Sequence, residues 1–166
     1  MPTGPSCVQL LPFDVRRDLP VLRIWLNRCH VARWWGDADP VLAMVRERSP
    51  HSHALITVEG QPVGYICWQN LQPTELAAAG LAALPFDLID VDILVGEPDI
   101  IGRGVGPQAL RLLLNRLQVE GVSCVGLAAE ADNQRALRAY AKAGFQPYKR
   151  FNEAGHDMCY LVHTFD

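Results

Sequence analysis

The stretch from Asp90 to Gly106, DVDILVGEPDIIGRGVG, constrains this chain more than any other. It joins an alternating apolar strand to a glycine-rich turn that runs into a helix. Successive strand side chains point to opposite faces, so Ile89, Val91, Ile93 and Val95 share one face and Asp90, Asp92 and Leu94 the other. One face makes core, and the other can meet a ligand. Gly102, Gly104 and Gly106 stand at alternate positions, where missing side chains let backbone N–H groups approach a bound anion. Pro107 suits the first position of the following helix, because its absent N–H would have no intrahelical partner there. A strand, a glycine turn and a helix N-terminus together make a phosphate site.

The residues after the turn narrow the choice. A nucleoside-triphosphate loop needs Lys followed by Ser or Thr after its last glycine, and Pro107 and Gln108 stand there instead. A dinucleotide fingerprint needs its third glycine where Pro107 falls, and an acidic residue about 20 positions further on. Neither pattern fits.

A chain of 166 residues suits one domain, residues 1–166, that buries roughly 70% of its unfolded surface without disulfides or metals. Its net charge of −3 gives no electrostatic footprint for nucleic acid or an anionic membrane, and makes a cationic small molecule the more natural partner. The five cysteines are far apart and mostly within apolar runs, so buried free thiols in a reducing compartment are expected. Five histidines show no metal spacing, and no metal or catalytic role is assigned to them; His53 and His163 read as satisfied strand residues. The N-terminus MPTGPSCVQL lacks a basic segment followed by an apolar core, and Leu76 to Phe86 is too short and too broken to span a bilayer. These features predict a cytoplasmic protein, a monomer or weak homodimer.

Along the chain, Val8 to Leu11 reads as a strand. Asp18 and Pro20 read as cap and first turn of a helix with Leu22, Trp25, Leu26 and Cys29 on its core stripe. Periodicity stops from His30 to Asp39, where Trp34 and Trp35 are either core anchors or the wall of a substrate cleft. A short helix from Asp39 follows. His53 to Val58 and Val63 to Gln69 form a hairpin about Glu59–Pro62, and a helical turn falls between Glu75 and Ala83. After the central strand come a helix with Leu110, Leu113, Leu114 and Leu117 inward, a buried strand from Val122 to Ala129, and a helix capped by Asp132 and Asn133. That last helix turns Ala136, Leu137, Tyr140 and Ala141 to one side. A hairpin from Tyr148 to Phe165, with its turn at Asn152–Gly155, closes the chain.

The glycine turn, Ile101-Gly102-Arg103-Gly104-Val105-Gly106, resembles the R/Q-x-x-G-x-G/A motif of the GCN5-related N-acetyltransferases (GNAT superfamily), with Ile101 where Arg or Gln is usual. Asn133-Gln134-Arg135-Ala136-Leu137-Arg138-Ala139-Tyr140 through Gly144-Phe145 closely matches the superfamily's second motif, at the expected distance. Together with ARWWG near the N-terminus, these stretches look most like the aminoglycoside 6′-N-acetyltransferases. The resemblance implies an α/β fold with a central mixed, mostly antiparallel sheet, flanked by helices and splayed at the cofactor site. It also implies acetyl-coenzyme A as donor, with the pyrophosphate on backbone from Gly102 to Gly106 and the pantetheine arm beside Leu94, Val95 and Gly96. Asn133, Ala136 and Tyr140 complete the cofactor residues.

The same resemblance gives Asp92 the role of holding the substrate ammonium and taking its proton, in direct attack through a ternary complex. Tyr140 becomes the donor to the coenzyme A sulfur. Trp34, Trp35, Asp37, Asp90 and Glu130 join Asp92 as acceptor residues, with Glu97, Asp99 and Asp132 adding negative charge. Glu130 stands in, at a different spacing, for an acidic residue that the aminoglycoside enzymes carry before the motif's Asn. Two alternatives stay open: a siderophore-precursor or other small-metabolite N-acyltransferase, and a non-catalytic domain that binds acetyl-coenzyme A.

Overall fold

A computed structural model describes Cys7–Phe165; residues 1–6 and 166 lie outside it, among them most of the N-terminal stretch read as lacking a leader. Among the described residues the strands are β1 (Val8–Pro12), β2 (His53–Val58), β3 (Gln61–Asn70), β4 (Ile89–Val95), β5 (Cys124–Glu130), β6 (Gln146–Glu153) and β7 (His156–Thr164). The helices are α1 (Val15–Leu26), α2 (Cys29–Trp35), α3 (Ala38–Glu47), α4 (Pro73–Ala78), α5 (Val105–Val119) and α6 (Gln134–Lys142), with a 3-10 turn at Pro98–Ile100. The sheet is open, in the order β1-β2-β3-β4-β5-β7-β6. β4 and β5 pair in parallel, whereas β1–β2, β2–β3, β5–β7 and β7–β6 pair antiparallel. This is the mixed, mostly antiparallel sheet expected.

The chain forms two compact units. The first holds the described residues up to Cys67 together with Ile93–Ala109. Its core gathers Leu22, Trp25 and Leu26 of α1, Leu42 and Val45 of α3, Leu55, Tyr65 and Leu94. The N-cap of α1 is Asp14, not Asp18: the Asp14 side chain accepts from Arg17 N (3.0 Å), and Asp18, buried within the first turn, accepts from Asp14 N (2.9 Å) and from the Arg17 guanidinium. The helix stops at Leu26, so Cys29 leaves the core stripe and opens α2 as an exposed residue. α2 is itself a correction, since no element was expected there. Its seven residues span barely two turns, too short for a 3.6-residue period to declare itself.

The β2–β3 turn is tighter than the four residues expected. Glu59 (φ 51°) and Gly60 (φ 79°) alone make it, and two successive positive φ angles match the twist of the flanking strands. Tyr65 and His53 share a buried hydrogen bond of 2.8 Å, which accounts for His53 as a satisfied strand residue. Burial pushes the His53 imidazole down to about 4, so it is neutral in the fold near neutral pH.

The second unit holds Trp68–Asp92 and the chain from Leu110 onward. Leu76 and Leu81 pack with Leu88, Cys124 and Tyr160. α5 buries Leu110, Leu113, Leu114 and Leu117 and ends at Gly121 (φ 86°), with Val122 N donating to Leu117 O. α6 is capped by Asn133, whose side chain accepts from Ala136 N (3.2 Å), and buries Tyr140, with its C-cap Ala143 buried as well; Ala141 is exposed rather than inward. Gly144 ends it, as expected, with φ 100°. The last hairpin turns on Ala154 and Gly155, again a two-residue turn with both φ positive. The cysteines are all free thiols; Cys67 and Cys124 are buried, but Cys7 and Cys29 are exposed, against expectation.

Candidate active site

β4 carries the two carboxylates. Ile89 and Val91 are buried while Asp90 is half-buried and Asp92 exposed, so the expected alternation holds through the first half of the strand. It then breaks: Leu94, placed by strict alternation on the ligand face, is buried in the core of the first unit, and Ile93 and Val95 are half-buried. The buried phase therefore passes from odd to even positions between Val91 and Leu94. The strand divides between the two units at that point.

Pairing places Asp90 opposite Gly126 of β5, and Tyr160 opposite Ala128 on the far side of β5. The Tyr160 hydroxyl crosses to donate to Asp90 Oδ1 at 2.9 Å. Its path runs over Gly126, where a Cβ would collide with the Tyr160 ring and hydroxyl. Burial, then the charge of Asp92, push the Asp90 carboxyl up to about 8 against the pull of the Tyr160 hydrogen bond, with Glu75 and Glu153 adding to the push. Burial, then Asp92 and Asp90, likewise raise Tyr140 on α6, which therefore keeps its proton at any physiological pH. The charges of Asp92 and Asp90 thus both reach the Tyr140 hydroxyl. Tyr160 is the member sequence reasoning missed.

In the first unit, α5 begins two residues earlier than Pro107 suggested. Val105 is its first residue, Pro107 its third, and Gln108 N makes the first i→i−4 bond, to Gly104 O (3.2 Å). The N–H groups of Val105 and Gly106 precede that bond and have no partner within the helix. Gly102 (φ 83°) and Gly104 (φ 79°) need to be glycine for their backbone alone. Gly106 does not: its φ is not positive, and a Cβ there would meet nothing within 4 Å. Glycine inside a helix costs about 1 kcal/mol relative to Ala, and this fold gains no internal clearance from it. Open space at Gly106, beside two N–H groups with no partner in the helix, fits a diphosphate. Ile101 and Arg103 flank this turn, half-buried and exposed respectively.

The other residues marked from the sequence sit as follows. Gly96 is explained by packing, because a Cβ would overlap the Trp25 indole, and both its backbone groups are engaged: N with Val63 O (2.7 Å), O with Arg28 (2.8 Å). The Val95 carbonyl accepts from His30 Nε2 at 3.0 Å. Glu97 is no free negative charge: it accepts from the Trp25 indole (2.8 Å) and from Arg28 (3.0 Å), and those bonds, Trp25 first, hold its carboxyl below the ordinary range. Trp35 packs against the core of the first unit, whereas Trp34 is half-buried with the Arg33 guanidinium 4.6 Å from its ring centroid. Asp37 stands exposed at the N-cap of α3, making no side-chain cap bond. Glu130, at the end of β5, lies 2.8 Å from His156 Nδ1.

Residues 14–153 match the acetyltransferase (GNAT) domain family, and the chain belongs to it. It is 29% identical over 160 residues to the aminoglycoside N(6′)-acetyltransferase type 1 of Klebsiella pneumoniae, an alignment spanning 89% of this chain and 78% of that protein. Aminoglycoside acetyltransferase AAC(6′)-Ib, solved with paromomycin and acetyl-coenzyme A, superposes with a TM-score of 0.77 at 28% identity, over 95% of this chain and 93% of that one. Its complex with ribostamycin and coenzyme A gives 0.77 at 27% identity, over 95% and 93%. The fold, the family and the class of enzyme, an acyltransferase, agree with the expectation drawn from the two motifs.

Proposed function

We propose that this protein transfers the acetyl group of acetyl-coenzyme A to a primary amine of a polycationic small molecule, the 6′-amine of an aminoglycoside. The observation that carries the reading is the acidic face of β4, where Asp92 is exposed beside Asp90 and acts on the hydroxyl of Tyr140. The relatives solved with aminoglycosides and acetyl-coenzyme A support it. The donor's diphosphate is assigned to the N–H groups of Val105 and Gly106. Bound there, acetyl-coenzyme A supplies a thioester carbonyl open to attack and a thiol leaving group.

The chain's own residues supply the rest. An ammonium cannot attack, so Asp92 attracts the cation and accepts its proton. A carboxylate near its reference pKa of about 4 is a weak base for an ammonium, so attraction of the cation supplies much of the effect. Tyr140, held in its protonated form by burial and by two carboxyl groups, is a hydrogen-bond donor toward charge that develops on a departing sulfur. Buried free thiols at Cys67 and Cys124 suit a reducing cytoplasm.

The test is Asp92→Asn. With kanamycin as acceptor, the variant should bind acetyl-coenzyme A as the wild type does yet lose ~100-fold or more in kcat/KM, the usual worth of a general base. The loss should shrink as pH approaches the amine's own pKa. Wild-type kcat/KM with an unchanged pH profile would remove Asp92 from the reaction.

A further inference from the structure

Tyr160 and Asp90 belong to neither sequence motif, yet three strands cooperate to bring them together. Tyr160 on β7 reaches Asp90 on β4 only because β5, the strand between, carries Gly126 at the crossing point. A tyrosine hydroxyl has one proton to donate, and this one goes to Oδ1 of a carboxyl two residues before Asp92, on the same side of the strand. The ionisable groups that act on Asp90 are Asp92 of its own strand, Tyr160 of β7, Glu75 of α4 and Glu153 of β6, and Tyr140 of α6 responds to it in turn. The charged members are all acidic, and only the tyrosine bond favours the ionised form.

We propose that Tyr160 and Asp90 form a positioning pair that sets how many negative charges the acceptor amine meets beside Asp92: one while Asp90 holds its proton, two once it has released it. This rests on the reading that the β4 face receives a cationic amine. The second charge strengthens attraction for a polycation and makes Asp92 a better base, so the pair ties acceptor use to pH. Asp90 itself need not touch the substrate. Tyr160 would fix where the transition falls, because its hydrogen bond favours the carboxylate.

Two measurements decide it. The first is the ratio of kcat/KM for wild type to that for Asp90→Asn, with kanamycin as acceptor and saturating acetyl-coenzyme A; the amine's own titration cancels in this ratio. It should be flat near pH 6 and climb about tenfold through the range around pH 8, the effect of one extra charge at close range. In Tyr160→Phe the climb should move to higher pH. A ratio constant across pH, with stability alone altered, would make the pair structural and overturn the proposal.

The second needs no acceptor: carbon-13 NMR titration of the aspartate carboxyl groups in the whole protein. One signal, missing in Asp90→Asn, should titrate near pH 8 in the wild type and higher in Tyr160→Phe. An Asp90 signal titrating in the ordinary carboxylate range overturns the pair. Failure of the wild type to acetylate kanamycin would count against the functional reading alone, and the carbon titration would then decide the pair by itself.

Discussion

Asp90 is a residue that the fold alone would not choose. Its carboxyl is pushed up to about 8, whereas in the unfolded chain it titrates near the reference value of about 4. Between those two pH values the folded state holds a proton that the unfolded state has released, so stability falls as pH rises through the window and is level above it. Asparagine keeps the shape and can still accept from Tyr160, but has no proton to lose. Asp90→Asn should therefore leave the melting temperature nearly unchanged at pH 4 and raise it by several degrees at pH 8. Thermal melts of the two proteins at both pH values check this, and an equal shift at each pH would return Asp90 to ordinary titration. A group kept at such a cost in a fold of this family marks function more than packing. The two carboxylates and Tyr140 were legible from alternation and motif. Tyr160 was not, because its role depends on a side chain crossing an intervening strand, and no local pattern along the sequence encodes which residue lies under the crossing.

Among the elements, α5 shows the same tension between fold and function. Gly106 sits in its first turn with ordinary helical backbone and open space around it, so Gly106→Ala should stabilise the protein by about 1 kcal/mol. The same methyl group would take up space left open beside the N–H groups assigned to the diphosphate, and acetyl-coenzyme A affinity should fall at least tenfold. Melting and calorimetric titration of one variant read both effects. A stabilised Gly106→Ala with undiminished affinity would take this turn out of the site. The glycine spacing made α5 visible in the sequence, but its starting residue was misplaced because Pro107 is tolerated throughout the first turn, where no N–H is required. The start of α1 was misplaced for a similar reason, since Asp14 and Asp18 are both good caps and only the folded chain shows Asp18 turned back on Asp14 N. Both hairpin turns were drawn too long. Glu59 and Ala154 adopt positive φ, which their residue types rarely do, so turn composition pointed to longer loops.

For the whole molecule, the mixed sheet followed from two motifs at the right separation, and the order of strands and helices, α2 apart, from the periodicity along the chain. The change of buried phase along β4 did not, because apolar residues stand at both odd and even positions of the strand and alternation alone does not show where burial passes from one set to the other. The chain belongs to a family of acetyltransferases, and the function proposed for it rests on the acidic face of β4 and on a tyrosine that keeps its proton. No helix among the described residues is long and apolar enough to cross a membrane. The most direct test is release of free coenzyme A thiol from acetyl-coenzyme A by the purified protein, measured against kanamycin, hydroxylysine, a linear polyamine and a peptide amine, with the acetylated product identified by mass spectrometry. Kanamycin should show the highest kcat/KM of the four and should carry its acetyl group on the 6′-amine. Folded protein that binds acetyl-coenzyme A but releases no thiol with any amine, or that turns over hydroxylysine alone, would contradict an aminoglycoside acetyltransferase.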